Sequence, residues 1–154
     1  MSVANAPPAD AYTIDGRSRS AWTGTYFIVL YRSGASFLGK KYKPADDTWT
    51  DLTMTNAPEA RDRFGAFWTG AKLGVWGGWG NTSPGLSTGG IYDPSSDTWA
   101  EMTNTSPPSA RGVMPGSEIW TGSQFFVWGS CSVQVGGSGC LTTFNTGGHY
   151  IPTQ

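Results

Sequence analysis

One histidine, His149, and two cysteines, Cys131 and Cys140, are all the imidazole and thiol ligands in this chain of 154 residues. Zinc and copper sites each need more ligands than these, so no metal and no cofactor is expected. Charge is also scarce, at 14% of residues with a net charge of −1. Nucleic-acid binding needs clustered Lys and Arg. The one basic cluster, Lys40, Lys41 and Lys43, reads as the solvated edge of a strand. No apolar run approaches the roughly 18 residues of a membrane span. Met1 to Asp10 lacks the charged and apolar regions of a signal peptide. Gly and Pro interrupt the chain too often to leave room for an amphipathic helix.

What the chain does have is Gly (22), Pro (10), Trp (8) and an aromatic content of 14%. Rigid aromatic area between tight turns belongs to short strands, so the fold class is all-β. The same words recur along it. Trp-Thr-Gly stands at Trp22, Trp68 and Trp120. An apolar run follows each copy: Tyr26 to Tyr31, Leu73 to Trp76 and Phe125 to Trp128. Small pairs come next in two copies, Gly77-Gly78 and Gly129-Ser130. Tyr42, Tyr92 and Tyr150 each precede a proline by two residues, and Asp-Thr-Trp then ends in Trp49 and Trp99. The connector Asn56 to Arg61 is echoed by Ser106 to Arg111 and faintly by Asn5 to Asp10. The spacing from Tyr42 to Tyr92 and on to Tyr150 suits the upper end of propeller-blade repeats.

Each unit predicts four strands, with repeats over about 10–55, 56–105 and 106–154 of one domain. The first strand ends at Trp-Thr-Gly. The second is apolar enough to be buried on both faces. The third ends at Tyr-x-Pro, because proline stops a ladder, and the fourth holds Asp-Thr-Trp. Asp47 and Asp97 recur at one repeat position, which separates them into different blades and makes them turn residues rather than a catalytic pair. The third unit reaches its tyrosine but contains no third Asp-Thr-Trp, so eleven blade strands are expected.

The succession of apolar strand, Gly-Gly, Tyr-x-Pro, Asp-Thr-Trp and Pro-x-x-Arg resembles the kelch repeat in its long bacterial form. The resemblance covers essentially the whole chain. It implies a β-propeller of four-stranded antiparallel blades, here three, a half or partial propeller. It also implies that Gly77 and Gly78 let blades approach and that Trp49, Trp76, Trp99 and Trp128 pack between them. The first copy departs from the pattern, with Tyr31-Arg32 for Gly-Gly and Lys40 where the second has Gly90. Kelch-type copper oxidases use several His and Tyr ligands, which one histidine cannot supply.

No catalytic constellation emerges, so the chain is expected not to be an enzyme. The expected function is a non-enzymatic module for protein–protein association. Three blades do not close a ring, so its partner is itself, as a homodimer forming a six-bladed ring, or another protein chain. A carbohydrate-binding lectin or adhesin is the alternative, using a loop patch of Trp79, Asn81, Gln134, Phe144 and Asn145 to bind glycan. A kelch-type sugar mutarotase is a third reading, for which Arg61, Arg63, Glu59 and Glu118 are too scattered. Cys131 and Cys140 share one Gly/Ser-rich stretch, which suits a disulfide and hence a secreted, periplasmic or cell-surface protein. Two unrelated thiols are the other reading.

Overall fold

The structure, a computed structural model, describes residues 1–12, 16–81, 85–103, 106–132, 134–135, 139–140 and 142–152, with the side chains of residues 10, 12, 134, 135, 139 and 140 left aside. Apart from a 3₁₀ turn at Ala9–Tyr12, every regular element among the described residues is a strand. The first sheet is β1 (Ser18–Trp22), β2 (Phe27–Ser33), β3 (Ser36–Lys43) and β4 (Thr48–Asp51), antiparallel in that order. A short ladder of β5 (Arg61–Asp62) with β8 (Trp79–Gly80) flanks the second sheet. That sheet holds β6 (Gly65–Trp68), β7 (Leu73–Trp76), β9 (Gly89–Asp93) and β10 (Thr98–Glu101). The third has three strands, β11 (Glu118–Trp120), β12 (Phe125–Trp128) and β15 (Gly147–Tyr150). A hairpin of β13 (Gln134–Val135) and β14 (Gly139–Cys140) rises from its long connection. These are blade-like sheets of the propeller kind, with eleven blade strands and no closed barrel among the described residues.

The repeated words work as local turn chemistry. In each Trp-Thr-Gly the Thr hydroxyl oxygen accepts the backbone N–H three residues on, from Tyr26 (2.8 Å), Lys72 (2.9 Å) and Gln124 (3.1 Å). The glycine takes φ of 92°, 97° and 99°, which a side chain would strain. The register then repeats across blades: Trp22, Phe27, Tyr42 and Trp49 form one row, and Trp68, Leu73, Tyr92 and Trp99 the next. Trp120, Phe125 and Tyr150 form a third row, which has no fourth member among the described residues. Asp47 and Asp97 sit in the left-handed region at the third turn and accept the hydroxyls of Tyr42 and Tyr92, each at 2.6 Å. They are turn residues, as their recurrence implied.

Between the first two blades lies a core of Ile28, Leu30, Phe64, Leu73, Val75 and Tyr92. Between the second and third lies another, with Phe67 stacked on Phe125 at 4.4 Å beside Trp76 and Tyr150. The first strands approach one another at the inner side, β1 against β6 and β6 against β11. Gly78 is required by closeness as well as by its φ of 103°, since a Cβ there would meet the Asp62 carbonyl oxygen at 2.6 Å. Its N–H donates to the Arg111 carbonyl at 2.8 Å, tying the second blade to the connector of the third.

Pro-x-x-Arg is the other structural device. Arg61 is fully buried and donates to the carbonyls of Glu59 (3.0 Å), Gly77 (2.9 Å) and Thr88 (2.8 Å). Arg111 repeats this with Ser109 (2.9 Å), Gly129 (2.9 Å) and Thr146 (2.7 Å). Each cation is buried on carbonyl oxygens rather than on a carboxylate. Burial lowers the Arg61 guanidinium to about 10. These arginines clamp the start of the third strand to the end of the second.

Candidate interaction surfaces

The two ends of the arc are not alike. On the far side of the first blade, Val29, Tyr31, Tyr42 and Trp49 form a cluster completed by Ala6 and Ala11 from the N-terminal segment. That segment is tied down: the Ser2 N–H donates to Asp47 (2.6 Å), and the Trp49 indole donates to the Ser2 carbonyl (3.2 Å). Asn5 donates to the Trp49 carbonyl and accepts from Lys40. Thr53 meets Asp97 and Trp99 in the same way at the next blade, so residues 1–6 stand where a preceding connector would.

Among the described residues the third blade has no such cover. Along β12, Phe125 and Val127 turn toward the second blade, and Phe126 and Trp128 turn away. Trp128 is 67% exposed, Ile119 61% and Phe126 39%. The ring of His149, exposed on β15, lies 5.4 Å from that of Phe126. Trp128 was expected to pack between blades and does not. Its counterpart Trp76 is 2% exposed because a third blade covers it, and among the described residues nothing covers Trp128. Trp22, another repeat position, is also exposed at its strand end. Three contiguous apolar side chains on one sheet face make this the candidate interaction surface.

The residues expected to form a ligand patch are not presented together. Trp79 belongs to β8, not to an open loop, and is only 7% exposed. It lies under the Arg63 guanidinium at 4.7 Å and against Gly112, where a Cβ would meet its indole nitrogen at 2.7 Å. The Asn81 amide is used in a bridge between blades, accepting from Arg32 (2.5 Å) and donating to the Ala35 carbonyl (3.2 Å). Phe144 is half-buried with the Arg111 guanidinium over its ring at 4.2 Å, and Asn145 is exposed. The side chain of Gln134 lies outside the described residues. The β5–β8 ladder thus takes Trp79 out of the expected patch, whereas Asn81 stays exposed with its amide engaged by Arg32 and Ala35.

Sequence reading missed two ion-pair groupings. Arg32, which replaces a glycine of the repeat, meets Asp62 of the next blade at 2.6 Å, with Arg17 nearby at 3.8 Å. On the inner strands, Arg19 of β1 reaches Glu118 of β11 at 3.5 Å, passing Gly65 of β6. Burial raises the Glu118 carboxyl above its ordinary range and Arg19 opposes the shift. The only signal for this pair was a charge on each inner strand of an otherwise apolar repeat. The three lysines each meet an acid: Lys40 Asp51, Lys41 Asp97 at 3.7 Å and Lys43 Asp46 at 2.7 Å. Among the described residues no group of three or more His, Cys, Asp or Glu is gathered around a point.

Cys131 is fully buried, and no cysteine among the described residues is a free thiol. The Cys140 side chain lies outside the description. No helix is long and apolar enough to cross a membrane among the described residues. What the fold and surface define is an all-β chain of blade-like antiparallel sheets with one apolar end face open. No protein-family model matches the chain, and no curated protein matches it.

Proposed function

We propose that the chain is a non-enzymatic kelch-type propeller module whose work is protein–protein association, and that its partner across the open face is a second copy of itself. The observation that carries this is the exposed Ile119, Phe126 and Trp128 on the last blade, at positions whose counterparts one blade earlier are buried. Repeat blades gain stability by stacking on neighbours, so an uncovered blade face seeks a cover. Head-to-tail closure into a six-bladed ring would need a second open face, and residues 1–11 already occupy the one on the first blade. A two-fold pairing of third blade against third blade needs no such displacement and is the commonest oligomer symmetry.

Light scattering at micromolar concentration tests this. The expected particle has at least twice the 16.4 kDa mass of the chain. Phe126→Ser with Trp128→Glu is expected to return it to monomer with its melt intact. A wild-type monomer sinks the reading.

A Cys131–Cys140 disulfide and an oxidising compartment belong to the same proposal. They are supported by the buried position of Cys131 and by the Gly/Ser-rich stretch that the two cysteines share. Without reductant the intact protein should weigh two hydrogens less than the reduced form. Alkylation of both cysteines in the native protein would remove the bridge.

A further inference from the structure

The third blade also has an unpaired edge. β15 pairs with β12 on one side, and among the described residues no strand pairs with it on the other. Open edges accept extended segments by adding main-chain hydrogen bonds. The two complete blades show what such an edge holds. In the second, the turn before β10 places Asp97 against the Tyr92 hydroxyl (2.6 Å), the Thr53 N–H (3.3 Å) and the Lys41 ammonium (3.7 Å). The Trp99 indole then donates to the Thr53 carbonyl (2.9 Å). Its ring lies against Pro58 and Gly90, where a Cβ would meet Pro58 at 2.6 Å and Trp99 at 3.2 Å.

One blade on, the counterparts of Lys41, Thr53 and Tyr92 are Ile91, Thr103 and Tyr150. All three line one cleft of about 730 Å³. The counterparts of Pro58 and Gly90 are Pro108 and Gly148, which line a narrow slot with Trp76 and Tyr150. The indole N–H of Trp76 is buried without a hydrogen-bond partner among the described residues. Burial and Asp97 both raise the Tyr92 hydroxyl, whereas burial alone raises that of Tyr150.

We propose that the β15 edge, with the cleft at Thr103 and Tyr150 and the slot at Pro108 and Gly148, is a docking site for an extended segment from outside residues 1–154 that carries Asp-Thr-Trp. The segment adds a fourth strand antiparallel to β15. Its carboxylate accepts from the Tyr150 hydroxyl and the Thr103 N–H, and its indole donates to the Thr103 carbonyl. A second copy does not supply this strand. Asp-Thr-Trp occurs twice in the chain, and both copies are already paired inside their own blades, Trp49 with Tyr42 and Trp99 with Tyr92. Ile91 in place of Lys41 makes this site less dependent on charge than its internal counterpart.

The site rests on the association reading only in taking the chain for a binding module, and one titration separates the two. A labelled peptide with the sequence of residues 94–103 is titrated into the full chain by fluorescence anisotropy, with particle mass followed in parallel. Saturable binding is expected. Ala in place of either Asp97 or Trp99 in the peptide should weaken it about tenfold or more. Tyr150→Phe in the protein should weaken the parent peptide about tenfold but leave binding of the Asp97→Ala peptide unchanged, since the two changes remove one bond. The peptide variants read the same recognition without altering the protein. No binding at millimolar peptide, or equal binding by a scrambled peptide, overturns the site. A dimer that ignores the peptide sinks strand docking alone, and a monomer that binds it sinks self-association alone.

Discussion

The first and third blades are built from the same words, yet one ends in a closed face and the other in an open one. In the first, Tyr42 and Trp49 are buried beneath residues 2–11, and the turn aspartate is held by the Ser2 N–H. In the third, the row stops at Tyr150, and Trp128 faces outward. The difference teaches that a blade position has no fixed burial. Trp76 and Trp128 occupy one repeat position and end at opposite extremes, because burial belongs to the neighbour as much as to the residue.

The sharpest way to break this comparison is to cut both tryptophans. Trp76→Ala should cost about 3–5 kcal/mol as a large-to-small core change. Trp128→Ala should stay within about 0.5 kcal/mol, as surface changes do. Urea denaturation of the two variants at a concentration where both are monomeric checks it, and equal losses would mean that the last face is covered after all.

A second experiment converts the closed end into an open one. Deleting residues 1–6 uncovers part of the Trp49 cluster and should cost about 2 kcal/mol, the order expected for exposing one large apolar side chain. It should also raise the particle mass above that of wild type. Unchanged mass and unchanged melt would show that the N-terminal segment caps nothing.

A smaller effect compares two hydroxyls. Tyr92→Phe removes a hydrogen bond to Asp97 and should cost about 1–2 kcal/mol. Tyr150→Phe, with no carboxylate at its hydroxyl among the described residues, should change the stability of the unliganded chain by less than about 0.5 kcal/mol. Thermal melts of the pair decide it.

The smallest effect is in pH. A carboxyl raised above its ordinary value holds its proton more tightly folded than unfolded. The Glu118 contribution is therefore greatest below the ordinary glutamate range and falls as pH rises through the raised value. Glu118→Gln should flatten that part of the stability curve and leave the rest unaltered. A wild-type slope retained in the variant would assign the titration elsewhere.

Much of the fold was legible because its signals are local. Trp-Thr-Gly closes its own hairpin through the Thr hydroxyl oxygen, and Tyr with Asp five residues on closes the next, so strand order and register follow from a few neighbouring residues. The surfaces were less legible. Trp79 reads as a loop aromatic after a double glycine, and only the pairing of β5 with β8 buries it. Asn81 looks available until Arg32, forty-nine residues earlier in the chain, takes its oxygen. Pro-x-x-Arg was visible as a word, but its purpose lies in carbonyls contributed from the far end of the same blade.

By itself, then, the order of residues determined the all-β class, the three-fold repetition and the turns, since each depends on contacts within one hairpin. Only the tertiary structure decided which tryptophans are core, which arginines are clamps and which end of the arc is open. Those outcomes depend on whether a neighbouring blade or segment lies within contact distance, and no local pattern of residues encodes the presence of a neighbour.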